Sequence, residues 1–181
     1  MIITKDFGAD VLTRLRALYE SAFPASEKKP FSLIEQKCGE GSAEIYAILG
    51  EDGGFLGLAI FILHDRLALL DYFAIEEDAR GRGIGGEALE SIKNLFGEKV
   101  LLLEIEDADE PGAENRTDRV RRERFYTSHG MCIMPYRISL FGVQMRVLTS
   151  GEEVDFAEYH RIFENVFSPK TAENVKDYEK W

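Results

Sequence analysis

Arg80-Gly81-Arg82-Gly83-Ile84-Gly85-Gly86 stands between an apolar run, Leu69-Leu70-Asp71-Tyr72-Phe73-Ala74-Ile75, and a stretch in which Ile84, Ala88, Leu89, Ile92, Leu95 and Phe96 recur at helical spacing before Gly97. A glycine-rich turn that closes a strand and opens a helix is a cradle for anions. Glycine tolerates positive φ and lets backbone approach a ligand closely, while the exposed amides and the positive end of the helix face the same point. Arg80 and Arg82 add positive charge, so the turn predicts a diphosphate ligand. Two other readings exist. The turn is also compatible with a tight connection whose arginines are merely solvated. Gly81, Gly83 and Gly86 satisfy G-x-G-x-x-G, with Glu106 further along near the end of the next strand, as a dinucleotide-binding unit requires.

The flanking elements separate these readings. Upstream, Glu44 to Leu49 and Phe55 to His64 read as a hairpin around Gly50-Glu51-Asp52-Gly53-Gly54, and Arg66 to Ile75 continues the meander after a turn at His64-Asp65. Before them come a short strand at Ile2-Ile3-Thr4, a helix behind Asp10 that ends near Phe23-Pro24, and a short helix from Phe31 to Gly39. Downstream, Lys99 to Glu106 is a strand, which makes a parallel crossover through the helix at Ile84. An acidic loop follows, then an arginine-rich helix through Phe125-Tyr126, a hairpin around Phe141-Gly142 with a bulge at Pro135, a closing helix from Val154 to Val166, and a polar tail from Pro169. An antiparallel meander before the turn opposes the successive parallel crossovers of a dinucleotide-binding fold. The expected architecture is α/β with a mixed, mostly antiparallel central sheet, one parallel splayed pair and flanking helices. Residues 1–150 form the domain, and 151–181 form a helix and tail packed on it.

With 181 residues, one core of ordinary size suffices. Lysine and arginine number 22 against 33 aspartate and glutamate, a formal charge of −11, which opposes binding to nucleic-acid phosphates. No apolar run reaches the roughly 20 residues of a membrane helix, and the N-terminal residues lack a signal pattern, so a cytoplasmic location and no membrane partner are expected. Cys38 and Cys132 read as ordinary reduced residues, and His64, His129 and His160 have no metal-ligand spacing.

The turn and the element order together resemble the GNAT superfamily of acyl-CoA-dependent N-acetyltransferases. Its signature, R or Q-x-x-G-x-G or A, is met by Arg80, Gly83 and Gly85, and the order of elements matches from Ile2 to about Thr149. The resemblance implies that backbone amides of Arg80, Gly81, Arg82, Gly83, Ile84, Gly85 and Gly86 hold a pyrophosphate. It also implies that the main chain of Phe73 and Ile75 binds pantetheine, that a strand amide near Phe73 or Ala74 holds the oxyanion, and that the cofactor is acetyl-CoA (coenzyme A).

Phe125-Tyr126-Thr127-Ser128-His129-Gly130 resembles the family segment whose tyrosine stands near the cofactor sulfur, which makes Tyr126 the general acid for the departing thiolate. The acceptor amine must lose a proton before it attacks. Glu104 is the first choice of base, with Glu106, Asp71 or a water chain as alternatives; Glu104 and Glu106 share one strand face because side chains alternate. Where many family members carry an asparagine seven residues before the tyrosine, this chain has Arg119. The helix arginines then either bind the cofactor's 3′-phosphate or pair with the acidic loop. Phe31 and Tyr136 fall on segments that border the acceptor cleft in the family. The implied function is direct acetyl transfer to a primary amine, and the negative charge favours a small cationic molecule. A non-catalytic acyl-CoA sensor and a protein N-acetyltransferase are the alternatives. Dimerisation through the closing hairpin and extra helix is a further expectation.

Overall fold

The computed structural model describes residues 1–25 and 27–178. Its order is β1 (Ile2–Thr4), α1 (Ala9–Ala22), α2 (Phe31–Gly39), β2 (Ala43–Leu49), β3 (Phe55–His64), β4 (Leu67–Ile75), a 3-10 turn (Glu77–Ala79), α3 (Ile84–Leu95), β5 (Val100–Glu106), α4 (Arg116–Ser128), β6 (Cys132–Leu140), β7 (Val143–Thr149), α5 (Phe156–Ile162), a π-helical turn (Phe163–Phe167), α6 (Pro169–Ala172) and β8 (Val175–Asp177). The sheet is mixed, with β4 and β5, joined through α3, as its parallel pair. The chain forms two compact bodies: Met1–Leu63 with Leu70–Leu95, and His64–Leu69 with the residues from Phe96 onward.

In the first body β2 pairs antiparallel with β1 and with β3. One face of these strands carries Leu58, Ile60, Tyr72 and Ala74 against Leu15, Leu18 and Tyr19 of α1 and Ile34 of α2. The other face gathers Ile48, Ile75, Ala79 and Ala88, with Phe73 and Ile84 packed against them. The strict alternation of Tyr72 and Ala74 with Phe73 and Ile75 puts consecutive residues of β4 into two different clusters.

In the second body β5, β7, β6 and β8 are antiparallel neighbours in that order. The expected β6–β7 hairpin turns at Phe141 and Gly142, both at positive φ (+50° and +88°), the pairing a tight two-residue turn requires. The register shifts between Ile133 and Arg137, around Pro135, as a bulge. The polar tail differs from its reading: Pro169–Ala172 is a helical turn capped by Ser168, and Val175–Asp177 pairs with Ile138–Leu140 as an eighth strand. Helix α5 is tied down by Arg66, whose guanidinium meets both carboxylate oxygens of Glu158 at 2.7 and 2.8 Å. Among the described residues no helix is long and apolar enough to cross a membrane.

Candidate active site

The glycine turn lies in the first body. Strand β4 ends where Glu76 N–H donates to the Leu56 carbonyl at 2.8 Å, and the chain makes its 3-10 turn and reaches Arg80 in an extended conformation. Gly81 and Gly83 follow at φ +75° and +81°. Gly83's carbonyl accepts the first helical bond of α3, from Glu87 N–H at 3.1 Å, so the amides of Ile84, Gly85 and Gly86 have no acceptor within their own helix. A Cβ built on Gly81 or Gly83 would meet nothing within 4 Å. The glycines therefore serve conformation, and the space before the amides is open. Ile84 anchors this helix start in the same cluster as Phe73 and Ile75, so these three expected cofactor residues are brought together, while Ala74 faces the α1 side. The two arginines, both exposed, bond back to the backbone before the turn: Arg80 Nε donates to the Ile75 carbonyl at 2.9 Å, and the Arg82 guanidinium donates to the Asp78 carbonyl. They hold the turn's shape as well as supplying charge.

Three supports in this body had no signal in the sequence. Gly57 on β3 lies so close to β4 that a Cβ would fall 2.4 Å from the Ala74 carbonyl oxygen and 3.0 Å from the Ile75 side chain. Lys29 Nζ meets both oxygens of Asp71 at 2.8 and 2.9 Å. The Tyr72 hydroxyl accepts from Lys29 N–H and donates to the Glu27 carbonyl, each at 2.9 Å, which ties the α1–α2 connection to β4.

Glu104, Glu106 and Tyr126 lie in the second body. Glu104 Oε1 accepts a hydrogen bond from the hydroxyl of Tyr159, a fully buried residue of α5. Glu106 instead lies 2.9 Å from Arg119 Nη2 and 3.1 Å from Arg122 Nη1, and accepts from Asn115 at 3.1 Å. Two guanidiniums thus pair with Glu106, and the Lys29 ammonium pairs with Asp71. Tyr126 is buried at 9 % exposure, and burial pushes its phenol up to about 12 against the opposing charge of Arg122. It therefore keeps its proton throughout the neutral range. His129 bonds the Phe125 carbonyl through Nδ1 at 2.7 Å, and its ring lies tilted against the Phe125 ring at 4.7 Å between centroids.

Arg119, which occupies the asparagine position, is itself buried at 8 %. It donates to Asn115 Oδ1 at 2.7 Å and the Asp107 carbonyl at 2.9 Å, and pairs with Glu106 and Glu110. Among the described residues no group of three or more His, Cys, Asp or Glu side chains could hold a metal ion.

The donor set fits a pyrophosphate. Three amides without helical acceptors, two positive-φ glycines and open space in front of them are what a doubly charged anion needs. The family model described as Acetyltransferase (GNAT) family matches residues 12–131. The chain belongs to the GNAT family. This N-acetyltransferase is 32% identical over 168 residues to the Bacillus subtilis (strain 168) protein named "Putative acetyltransferase YjbC", covering 88% of this chain and 80% of that one. Among solved structures it is similar to a "Putative acetyltransferase from GNAT family from Bacteroides thetaiotaomicron" (TM-score 0.74, 19% identity, 92% of this chain and 98% of that one). It is also similar to the aminoglycoside 6'-N-acetyltransferase from Enterococcus faecium (TM-score 0.61, 17% identity, 86% of this chain and 100% of that one). At these identities the two structures bear on the fold of the acetyltransferase alone.

Proposed function

We propose that this acetyltransferase uses acetyl-CoA as donor and a small cationic primary amine as acceptor. The observation that carries the reading is the turn itself: Gly81 and Gly83 at positive φ, opening α3 with three amides free of helical acceptors. The backbone amides from Gly81 to Gly86 hold the pyrophosphate, the Arg80 N–H expected among them being taken by the Glu77 carbonyl at 3.1 Å, and the main chain of Phe73 and Ile75 holds pantetheine. Acetyl-CoA supplies the activated acyl group as a thioester.

The chain's own groups move the protons. Glu104 takes one from the acceptor ammonium, so that a neutral amine attacks. Tyr126 holds a proton on its hydroxyl and delivers it to the sulfur that leaves. A phenol can serve as this donor because its proton is retained at neutral pH. An amide of β4 near Phe73 or Ala74 stabilises the charge that develops on the carbonyl oxygen. The formal charge of −11 favours a cationic acceptor.

The test measures coenzyme A release over a panel of polyamines, aminoglycosides, amino acids and acidic peptides, with wild type and Tyr126→Phe. Turnover on polycationic amines that collapses in the Phe variant supports the reading. Binding of acetyl-CoA without turnover on any amine contradicts it.

A further inference from the structure

Helix α4 brings almost no apolar face to the second body. Its large apolar side chains are Val120, Phe125 and Tyr126, and of its residues only Arg119 and Tyr126 are buried. A surface helix ordinarily fixes its rotation by burying a stripe of apolar side chains. Here a guanidinium takes that place. Arg119 and Tyr126 stand seven residues apart, about two turns, so they project from the same side of the helix. The Arg119 guanidinium is engaged at every nitrogen. Its Nε donates to Asn115 Oδ1 at 2.7 Å, Nη1 donates to the Asp107 carbonyl at 2.9 Å and pairs with Glu110, and Nη2 lies 2.9 Å from Glu106. These partners come from the end of β5, from the loop after it and from the residue that caps α4. Arg122, nearly one turn further on, adds a 3.1 Å pair to Glu106.

A planar fork met from several directions cannot turn without breaking charge-assisted bonds, and bonds broken under burial leave their groups unsatisfied. We propose that Arg119 is a positioning residue for acetyl transfer: it locks the rotation of α4 about its axis and so aims the Tyr126 hydroxyl. The inference rests on the reading of Tyr126 as proton donor and names what holds that donor in line. Arg119 acts through the helix rather than on a reacting atom. A displacement of about 1 Å in a reacting group costs on the order of 10²-fold in rate, so a small rotation of α4 is enough to be felt. Lysine at this position keeps the positive charge beside Glu106 and Glu110 but offers a single ammonium in place of the fork. It keeps the attraction and releases the rotation.

The experiment measures kcat and the KM for acetyl-CoA, over the amine panel above, in wild type, Arg119→Lys, Tyr126→Phe and the double variant. Arg119→Lys is expected to lower kcat by about 10–100-fold with the KM for acetyl-CoA nearly unchanged. In the Tyr126→Phe background the same substitution should cost almost nothing further, because the group it aims is gone. Should Arg119→Lys not fold, Glu110→Gln, which removes a part-exposed partner of the same fork, goes through the same cycle with the same expectation. A kcat equal to wild type, an effect confined to KM, or an equal loss in both backgrounds, as a merely structural role gives, overturns the inference and leaves Tyr126 as proton donor. A Tyr126→Phe enzyme as fast as wild type, or no turnover on any amine, overturns the reading of Tyr126 and the inference with it.

Discussion

The hydroxyl of Tyr159, on α5, donates a hydrogen bond to Oε1 of Glu104, 55 residues earlier on β5. A helix beyond the matched family segment thus holds the carboxylate proposed as base. Hydrogen bonding to a carboxylate favours its charged form, so its loss makes the carboxyl easier to protonate. Tyr159→Phe should therefore move the acidic limb of the kcat/KM–pH profile to higher pH, with little change at the plateau. Glu104→Gln should lower the plateau itself by about 10²–10⁴-fold. A Tyr159→Phe profile superimposable on wild type would remove Tyr159 from the mechanism.

Gly57→Ala tests whether the end of β4 must sit where it does. A Cβ at 2.4 Å from the Ala74 oxygen is inside contact distance, and the neighbour is backbone, which cannot rotate away. The strand has to shift at Ala74–Ile75, the segment proposed to hold pantetheine. A stability loss of about 1–3 kcal/mol by denaturant unfolding is expected, together with a raised KM for acetyl-CoA.

Tyr126→Phe should lower kcat by about 10²–10⁴-fold with acetyl-CoA binding nearly unchanged. The buried phenol also has a stability signature. Its pKa is raised by burial from 10.0 to about 12, so between these values the native state binds more protons than the unfolded chain. Stability from this group is complete below pH 10 and is lost as pH climbs towards 12. Denaturant midpoints over that window should fall less steeply in the Phe variant.

Asp107 anchors the β5–α4 connection. It is 2 % exposed and lies 2.8 Å from Arg137 Nε and 3.1 Å from Arg146 Nε. Burial alone would raise its carboxyl, but the Asp109 N–H and the two guanidiniums outweigh burial and hold it below the usual range. Its contribution is thus present above the unfolded value near 4 and is lost as pH falls through the lower folded one. Asp107→Asn leaves Arg137 and Arg146 paired with Asp109 alone, at 3.2 and 3.0 Å, at a cost of about 1–2 kcal/mol measured by urea unfolding at pH 7.

Much of this was legible in the chain. The glycine turn, both hairpins and α3 follow from local rules: positive-φ residues where strands reverse, and apolar spacing that switches from two to nearly four. The expectation that helix arginines pair with the acidic loop holds for Arg119 and Arg122, because the two segments are sequence neighbours. What escaped was tertiary. Nothing near Tyr159 points to Glu104, and nothing in Phe55–His64 marks Gly57 as the point where β4 comes closest. Strand β8 was hidden because Val175-Lys176-Asp177 is three residues long and mostly polar, and its pairing is supplied by the exposed edge of β6.

The most direct test is a crystal structure of the coenzyme A complex. Pyrophosphate oxygens should lie about 3 Å from main-chain nitrogens within Gly81–Gly86, those of Ile84, Gly85 and Gly86 among them. A complex with the pyrophosphate bound away from that turn would contradict the account.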